Sequence, residues 1–363
     1  MKEKYNVISE GNDACVIKPH IPCKNRKKKK EKKKQTLTKL LLIEDTNEYE
    51  INNLIKKIKD NKKWTLLWDD MCISEDYNKL LKYNDIKNCF NNKSLQNHYF
   101  LLQGEYGGVT LDKFMNNYLT HSILTNADKF IKTFKKIFKM LKNVFYGLTQ
   151  LSKNNICHLD IASKNIIIKN NKTYIIDYNL SILVDENIDN SRILKRMIQE
   201  YNIPRIYETY PIEFIYYPLF KKKEILTEIK LIDKNINIIN YHEFYKKIND
   251  FFNIDTRYLR YNLLEEKLRN PNYQDFDDLL KKLDVYSLAA MIMILFIDAC
   301  DDKNIDINIV FQFMKDPELN EYMKLLKDML TFDYQKRPTM EEVYKRYLNL
   351  IRVNKKKKYT KRK

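Results

Sequence analysis

The feature that most constrains the fold is the stretch from Cys157 to Ser181, which reads CHLDIASKNIIIKNNKTYIIDYNLS. Two short apolar strings, IIIK and TYIID, flank the polar turn NNK, a pattern that predicts a β-hairpin. Asp160 precedes the first string, Asp177 closes the second, and Asn165 lies between them. The hairpin is therefore expected to bring two carboxylates and an amide to the same end of a strand pair.

These three side chains indicate phosphate chemistry that depends on a metal ion. Mg²⁺ takes hard oxygen ligands from one or two carboxylates and from substrate phosphates. A carboxylate in such a position can also accept a proton from a hydroxyl group. Asp160, Asn165 and Asp177 are therefore the candidate functional groups of the hairpin.

Length and composition predict a globular chain. Its 363 residues, of which 44% are hydrophobic, can bury one large core or two modest ones. The six cysteines are scattered without a C-x-x-C pair, so their spacing predicts neither a disulfide framework nor a zinc site and favours a reducing compartment. No apolar segment follows Met1, and the longest apolar run, 288–297, is too short to span a bilayer. We therefore expect a soluble intracellular protein without a signal peptide or a transmembrane segment.

The net charge of +18 is concentrated in two low-complexity segments. Residues 24–34 and residues 352–363 carry +8 each, so the remaining chain carries only +2. Such runs are either solvated flexible segments or contacts for an anionic partner such as nucleic acid, anionic lipid or an import receptor. Nucleic acid is not the first interpretation, because the rest of the chain has no basic pattern interleaved with aromatic residues.

The order of predicted elements indicates an α+β protein with two lobes. The strands are predicted near the start, at 5–9, 14–18, 37–44 and 98–106. One helix, 46–59, is predicted among them, and outside the hairpin helical spacing dominates from residue 126 onward. The later helices are predicted at 126–153, 191–201, much of 222–270, 276–297, 318–331 and 339–352. Gly107 is the expected hinge.

The spacing His158-x-Asp160-x-x-x-x-Asn165, followed after eleven residues by Asp177-Tyr178-Asn179, resembles the H-R-D-x-x-x-x-N and D-F-G elements of eukaryotic-type protein kinases. The resemblance covers about residues 5–350 and implies a bilobal protein-kinase-like fold. It implies a small antiparallel β-rich N-lobe with one helix, a larger and mainly helical C-lobe, and a basic tail. The corresponding boundaries are 1–106 for the N-lobe with a Lys-rich insertion at 24–34, 107–351 for the C-lobe with a helical insertion at about 218–280, and 352–363 for the tail.

The resemblance also implies roles for the residues of the hairpin. Asp160 would accept the proton of the substrate hydroxyl, and Lys164 would stabilise the phosphoryl group in transfer. Asn165 would belong to the catalytic loop and, together with Asp177, would hold Mg²⁺ or Mn²⁺.

The N-terminal half contains candidates for the ATP-binding residues of such a kinase. The segment ISEGNDACVIKP is similar to the glycine-rich loop that covers phosphate, with Gly11 and Val16 at two of its positions and other residues at its outer glycines. Lys39, on the next predicted strand, corresponds to the lysine that contacts the α- and β-phosphates. Its carboxylate partner should lie on the following helix, where we favour Glu50 over Glu48.

The segment HYFLLQGEYGG resembles the fifth strand and the hinge of kinases. Glu105 and Tyr106 would offer backbone groups to adenine. Gly104 would occupy the gatekeeper position, where a glycine is expected to leave an open pocket behind the adenine site.

Two distant segments separate protein kinases from small-molecule kinases that share H-x-D-x-x-x-x-N. KLDVYSLAAMIMILF resembles the D-x-W-S-x-G helix, with Asp284 capping the helix and bracing the catalytic loop. MLTFDYQKRPTMEEV resembles the segment in which Arg337 pairs with the Glu of an A-P-E motif, here Glu213 of YPIE. The set Asp284, Glu213 and Arg337 favours a protein kinase.

Several departures from the family pattern leave alternatives open. Leu159 replaces the arginine that commonly binds a phosphorylated activation loop, so that switch is not expected. DIASKN follows the tyrosine-kinase form of the loop, whereas the segment ACVIKPHIPC is similar to serine/threonine kinases of large AT-rich DNA viruses. We favour a viral serine/threonine kinase that uses ATP and Mg²⁺ or Mn²⁺. It would act as a monomer on protein substrates, in the host cytoplasm or in the virion. A tyrosine or dual-specificity kinase and a pseudokinase scaffold are the alternatives.

Overall fold

The computed structural model describes most of the chain in six continuous stretches: 5–10, 14–24, 36–42, 46–74, 99–184 and 273–360. It also describes several residues between them: 80, 82, 86–87, 89, 209, 244, 246–248 and 250–254. The chain divides into two compact units, Met1–Gly108 and Val109–Lys363, called unit 1 and unit 2 below. The lobe boundary predicted from the sequence, after residue 106, falls two residues before this division.

Unit 1 is built on a five-stranded antiparallel sheet in the order β1-β2-β3-β5-β4. Its strands are β1 (Asn6–Glu10), β2 (Ala14–Lys18), β3 (Thr36–Leu41), β4 (Asp70–Ile73) and β5 (Phe100–Glu105). Helix α1 (Asn47–Lys56) and a 3₁₀ turn (Asn61–Lys63) lie between β3 and β4 in the chain. The predicted strands and the predicted helix are present, and β4 is an additional strand, whose four residues are too few to show a clear pattern.

Alternation along β2 explains how the sheet buries one of its faces. Cys15 and Ile17 are fully buried, and their neighbours Ala14, Val16 and Lys18 are half-buried, because successive strand residues point to opposite faces. The two buried residues pack with Leu40 of β3 and Leu101 of β5 in the main apolar cluster of unit 1.

Two disulfide bonds cross-link unit 1, which corrects the expectation of a chain without disulfides. Cys15 is bonded to Cys89 and Cys23 to Cys72, with Cα–Cα distances of 6.2 and 5.8 Å. The partners are 74 and 49 residues apart in the sequence, so the fold and not a short Cys spacing brings them together. The scattered spacing of the cysteines therefore does not support a reducing compartment.

Unit 2 is mainly helical. Its helices are α2 (Leu111–Tyr118), α3 (His121–Leu124), α4 (Ala127–Met140), α5 (Lys142–Lys153), α6 (Tyr273–Asp302), α7 (Ile307–Met314), α8 (Asn320–Met329) and α9 (Met340–Thr360). Its short strands are β6 (Val109–Thr110), β7 (Ile156–Cys157), β8 (Ile166–Lys169), β9 (Lys172–Ile175) and β10 (Ile182–Leu183). A 3₁₀ turn at Ser163–Asn165 precedes β8, and another lies at Pro317–Leu319.

An aromatic cluster forms the core of unit 2. Phe130, Phe134 and Phe138 follow one another at four-residue spacing on α4, so they lie along one face of the helix, and all three are buried. Phe134 stacks on Phe296 of α6 with ring centroids 5.3 Å apart, and Phe138 meets Tyr322 of α8 edge to face at 4.9 Å. Ring pairs at these separations stabilise the fold by more than the burial of their apolar area alone.

Helix α6 carries the longest apolar run. Among the described residues, its segment Asp278–Asp302 is the one stretch long and apolar enough to cross a membrane, but 89% of its most apolar window is buried inside the protein. Burial against α2, α7, α8 and α9 accounts for its apolar composition.

The later helices differ from the predictions mainly at their ends. The predicted helix 126–153 is interrupted at Leu141, which separates α4 from α5. The predicted helix 191–201 and Glu213 lie outside the described residues, as does most of the insertion 218–280. Within that insertion Phe244, Ile248 and Phe252 are buried, so this part of it packs into the protein.

Candidate active site

The hairpin predicted from the sequence is present as β8 and β9. The two strands pair in antiparallel register, with Ile167 opposite Tyr174. Asn170 and Asn171 form the two-residue turn, and both have positive φ angles, 52° and 58°. Asparagine tolerates this left-handed backbone better than most residues, and two such residues match the twist of a tight hairpin.

A loop and a 3₁₀ turn lead into the hairpin and carry the candidate catalytic residues. Asn165 ends the turn Ser163–Asn165, and its backbone carbonyl accepts a hydrogen bond from Ile176 N–H at 3.0 Å. This bond connects the start of β8 to the residue before Asp177. Asn165 and Asp177 are therefore held at the same end of the hairpin, as the sequence pattern predicted.

Asp160 and Asn165 are locked together by two hydrogen bonds. Asn165 Nδ2 donates to Asp160 Oδ2 at 2.7 Å and to the backbone carbonyl of Asp160 at 2.9 Å. Both side chains are buried, with 9% and 4% of their surface exposed. Because Nδ2 makes both bonds, Oδ1 is the atom of Asn165 that can bind a metal ion. The carboxylate of Asp160 has a fixed orientation before any substrate is present.

Asp284 braces the candidate catalytic loop, residues 158–165, from helix α6. Its carboxylate accepts hydrogen bonds from the backbone N–H groups of His158 at 2.7 Å and Leu159 at 2.9 Å. Leu159 has a φ angle of 62°, a strained conformation for a leucine, and the two bonds help to hold it. The predicted brace is observed. The predicted helix cap is not, because α6 begins at Tyr273 and Asp284 lies in its interior.

His158 connects the candidate catalytic loop, residues 158–165, to the segment that carries Asp177. It is fully buried; its Nδ1 accepts a hydrogen bond from Asp160 N–H at 3.2 Å, and its Nε2 lies 3.1 Å from the carbonyl of Ile176. An accepting Nδ1 and a donating Nε2 define a neutral imidazole. Burial lowers the pKa of His158, and the charges of Asp284 and Asp177 act in the opposite direction. Burial also raises the pKa of Asp284.

The segment Asp177–Ser181 is fixed by its aromatic residue. Tyr178 is buried and packs on the His158 ring with centroids 4.9 Å apart. Ser181 Oγ donates to the backbone carbonyl of His158 at 3.1 Å. Asp177, between these contacts and the hairpin, is half-buried with a φ angle of 65°. Lys164 lies in the 3₁₀ turn with an exposed side chain.

In unit 1, Lys39 forms a buried ion pair. Its Nζ lies 2.7 Å from Glu48 Oε2, and the two residues are 7% and 1% exposed. The predicted partner, Glu50, is wrong: its carboxylate is exposed and accepts a hydrogen bond from Thr46 Oγ1 at 2.8 Å. Two residues along an α-helix correspond to about 200° around its axis. Glu48 and Glu50 therefore face opposite sides of α1, and the helix start at Asn47 directs Glu48 toward β3.

Trp68 and Asn52 belong to the same cluster and were not predicted. Trp68 Nε1 donates to Glu48 Oε1 at 2.8 Å, and Trp68 N–H donates to Asn52 Oδ1 at 3.0 Å. The predicted open space beside Gly104 is filled, because a Cβ atom at Gly104 would meet Cε3 of Trp68 at 2.9 Å. One available signal was that the chain has only two tryptophans and that Trp68 lies just before β4.

The other described residues that were predicted to bind ATP lie on β2 and at the end of β5. Val16 lies on β2, opposite Lys39 of β3 in the register of the sheet. Glu105 ends β5 and is exposed, and Tyr106 follows it, half-buried, with Lys18 Nζ 4.5 Å from its ring centroid. Gly11 lies outside the described residues.

Arg337 lies buried in unit 2, where its guanidinium donates to backbone carbonyls. Nε bonds Thr331 O at 2.9 Å, Nη1 bonds Lys282 O at 3.1 Å and Nη2 lies 3.3 Å from Phe332 O. Its ring partner is Tyr286, with the guanidinium carbon 5.2 Å from the ring centroid. The pair expected with Glu213 involves a residue outside the described part of the chain.

Comparison with known families identifies the class of protein. The family model described as "Protein tyrosine and serine/threonine kinase" matches residues 7–205, more than half of the chain. The chain therefore belongs to the protein tyrosine and serine/threonine kinase family. No curated protein is similar enough to the chain to count as a match.

Membership of this family identifies the two units as lobes of a kinase fold. The antiparallel sheet with α1 and the helical unit 2 correspond to the two lobes of a protein kinase fold. Protein kinases are transferases that use ATP and a divalent metal ion and act on proteins. The matched region includes the ion pair of Lys39 and the segment from His158 to Asp177.

Proposed function

We propose that this chain is a protein serine/threonine kinase that transfers the γ-phosphoryl group of ATP to hydroxyl groups of protein substrates. The observation that carries the proposal is the locked pair of Asp160 and Asn165, in which a buried carboxylate is oriented by two hydrogen bonds from one amide. Catalysis of phosphoryl transfer depends mainly on positioning and electrostatic stabilisation, and this pair supplies the positioning.

In unit 2, Asp160 orients the substrate hydroxyl group and accepts its proton. Lys164, exposed on the 3₁₀ turn, stabilises the negative charge of the phosphoryl group in transfer. Asn165 Oδ1 and the Asp177 carboxylate are hard oxygen donors of the kind that Mg²⁺ or Mn²⁺ accepts, so these residues fit a divalent ion. Such an ion neutralises charge on the phosphates.

In unit 1, Lys39 contacts the α- and β-phosphates of ATP. Glu48 takes the role that the sequence had suggested for Glu50, because the ion pair with Lys39 fixes the ammonium group. Glu105 and Tyr106 offer backbone groups to adenine, and Gly11 and Val16 belong to the loop over the phosphates.

The choice of serine and threonine over tyrosine rests on the resemblance of ACVIKPHIPC to viral serine/threonine kinases. The loop DIASKN favours tyrosine or dual specificity, and the incomplete glycine loop favours a scaffold. The proposal includes an origin in a large DNA virus, a place of action in the host cytoplasm or the virion, and a monomeric state. The basic runs 24–34 and 352–363 are proposed contacts for an anionic partner.

Phosphoamino-acid analysis tests the proposal. The protein is incubated with γ-labelled ATP, Mg²⁺ or Mn²⁺ and a generic basic protein, and the labelled amino acids are separated. Asp177→Asn is the control, because asparagine tolerates the left-handed backbone at this position and removes only the charge. We expect label on serine or threonine that the control lacks. Label on tyrosine would overturn the stated specificity, and folded protein without label under either metal would support the scaffold.

A further inference from the structure

We propose that Trp68 is a positioning residue that fills the space beside Gly104 and holds Glu48 in place for its ion pair with Lys39. The inference rests on the proposed function, in which Lys39 contacts the phosphates of ATP. It deepens that function by assigning both a lysine-positioning role and a selectivity role to a residue outside the family motifs named above.

Trp68 packs tightly against Gly104. A Cβ atom built at Gly104 would lie 2.9 Å from Cε3 and 3.4 Å from Cζ3 of Trp68, so the six-membered part of the indole lies against the glycine backbone. Contacts below 3.0 Å are essentially never made by real Cβ atoms. Gly104 and Trp68 therefore form a matched pair, in which the small residue on β5 makes room for the large one before β4.

Trp68 also takes part in the hydrogen bonding of Glu48. Its Oε1 accepts from Trp68 Nε1 at 2.8 Å and its Oε2 pairs with Lys39 Nζ at 2.7 Å, so each carboxylate oxygen has its own donor. Glu48 is 1% exposed. A buried carboxylate needs several donors to offset the loss of water, and the indole N–H both stabilises its charge and fixes its rotation.

Trp68 is itself anchored to helix α1. Its backbone N–H donates to Asn52 Oδ1 at 3.0 Å, and Asn52 Nδ2 donates to the backbone carbonyl of Glu48 at 2.5 Å. Asn52 is one helical turn after Glu48, so the same turn of α1 contacts both the backbone and the indole of Trp68. The tryptophan thus fixes this turn of α1 as well as the Glu48 side chain.

A consequence for nucleotide selectivity follows from the gatekeeper position. An open pocket behind the adenine site would have room for a bulky substituent on the N6 atom of adenine, but Trp68 occupies the space beside Gly104. The wild-type protein should therefore reject N6-benzyl-ATP in spite of Gly104, and Trp68→Ala should accept it.

Trp64 provides a matched control. It is the other tryptophan of the chain, it is fully buried, and its Nε1 has no hydrogen-bond partner among the described residues. Trp64→Phe and Trp68→Phe each remove an indole N–H group, but only the second removes a donor to Glu48.

The first experiment compares these two variants by steady-state kinetics at a temperature where both are folded. Trp68→Phe should lower kcat about 10-fold with little change in KM for ATP, because a hydrogen bond to a charged group is lost. Trp64→Phe should keep the wild-type kcat. Equal kcat values for the two variants, or a change confined to the melting temperature, would overturn the positioning role.

The second experiment is a double-mutant cycle of Gly104→Ala and Trp68→Ala. Gly104→Ala should lower the melting temperature and the activity in the wild-type background and should have little effect in the Trp68→Ala background, where the added methyl group has room. Additive effects would contradict the steric pairing. Trp68→Ala also loses the donor to Glu48, so the readout is the ratio of the rates with N6-benzyl-ATP and with ATP. This ratio should rise in Trp68→Ala, and an unchanged ratio would contradict the selectivity role.

The two proposals fail in distinguishable ways. If wild-type protein and Trp64→Phe transfer no phosphoryl group from ATP, the proposed function fails. The cycle of melting temperatures needs no activity, so it supports or overturns the pairing of Trp68 with Gly104 in that case as well.

Discussion

Units 1 and 2 position their functional groups in different ways. In unit 2, three of the four bonds hold the backbone of a loop: Asp284 accepts from two consecutive N–H groups, and Asn165 donates to the carbonyl of Asp160 as well as to its carboxylate. In unit 1, side chains hold other side chains, through the network that joins Trp68, Glu48 and Lys39. The unit 2 arrangement depends on backbone geometry, whereas the unit 1 arrangement depends on how α1 is rotated.

The units also differ in what stabilises them. Unit 2 has a large aromatic core, whereas unit 1 is smaller and is cross-linked by two disulfide bonds. A small unit buries a smaller share of its surface, and covalent cross-links are one way to offset this. The comparison predicts that unit 1 responds to redox conditions and to single changes in α1, and that unit 2 does not respond to redox conditions.

Among the changes that test the comparison of the two units, the largest expected effect is the loss of the charge of Asp177 in unit 2. Asp177→Asn should lower the rate of phosphoryl transfer at least about 100-fold, because the contribution of a metal ion to transition-state stabilisation is several kcal/mol. The initial rate at saturating Mg²⁺, and again at saturating Mn²⁺, measures the effect. Near-normal rates with both metals would show that Asp177 is not a metal ligand.

The next effect sharpens the comparison by separating two glutamates of one helix. Glu48→Gln should destabilise the protein by about 3 to 5 kcal/mol, because the buried ammonium group of Lys39 loses the charge of Glu48. Glu50→Gln, at an exposed position, should change the stability by no more than about 0.5 kcal/mol. Denaturant unfolding of both variants measures this. Equal losses would mean that the ion pair of Lys39 has been assigned to the wrong glutamate.

Reduction of the disulfide bonds should destabilise unit 1 by about 2 to 4 kcal/mol for each bond, because the unfolded chain gains freedom. Titration of thiols checks the pairing first. Cys157 and Cys300 are buried and belong to neither disulfide bond, and burial raises the pKa of Cys300 to about 12. Oxidised native protein should therefore react slowly or not at all with thiol reagents.

The same titration after unfolding should find two thiols without reductant and six with it. Four or more thiols in unreduced protein would contradict at least one of the two bonds. Cys157→Ser is the control for stability, because it removes a cysteine of unit 2 and should leave the effect of reduction unchanged.

The smallest expected effect is a pH dependence that originates in unit 2. The pKa of His158 is lowered in the folded protein. Between that lowered pKa and about 6.5, the pKa of the unfolded chain, the unfolded chain therefore binds more protons than the folded protein. The stability from the neutral imidazole is complete above that pH and is lost as the pH falls toward the folded-state pKa. The slope from one proton is at most about 1.4 kcal/mol per pH unit.

The raised pKa of Asp284 acts in the opposite sense, because the folded state then takes up a proton before the unfolded chain does. The difference between the wild type and His158→Gln, followed by urea unfolding from pH 7.5 down to about pH 5, measures the histidine together with its effect on Asp284. Identical pH profiles for the two proteins would contradict the neutral, buried state of His158.

The sequence predicted unit 2 better than unit 1, and the reason is the distance over which each contact acts. Asp160 and Asn165 are five residues apart and are joined by local turn geometry, so a fixed spacing describes them. The hairpin register followed from two apolar strings and an asparagine turn. The brace from Asp284 was found only through the resemblance, because it acts across 126 residues.

In unit 1 the contacts of Lys39, Trp68 and the cysteines depend on the rotation of α1 and on partners that are far apart in the sequence. The choice between Glu48 and Glu50 required the first residue of α1, which Thr46-Asn47 does not specify because no side-chain cap is formed. Trp68 acts on Glu48 across 20 residues through a segment with no clear pattern. The cysteine pairs, 74 and 49 residues apart, likewise needed the sheet to be known first.

The central claim is tested most directly by label transfer from γ-labelled ATP to protein by the wild type and by Asp160→Asn, at equal concentrations and in the presence of Mg²⁺. A positioned general base contributes about 10²- to 10⁴-fold to the rate, so we expect the rate of the variant to fall by a factor in this range. Its melting temperature should stay within a few degrees of the wild-type value. Equal transfer by the two proteins would contradict the assignment of Asp160 and, with it, this account of the site.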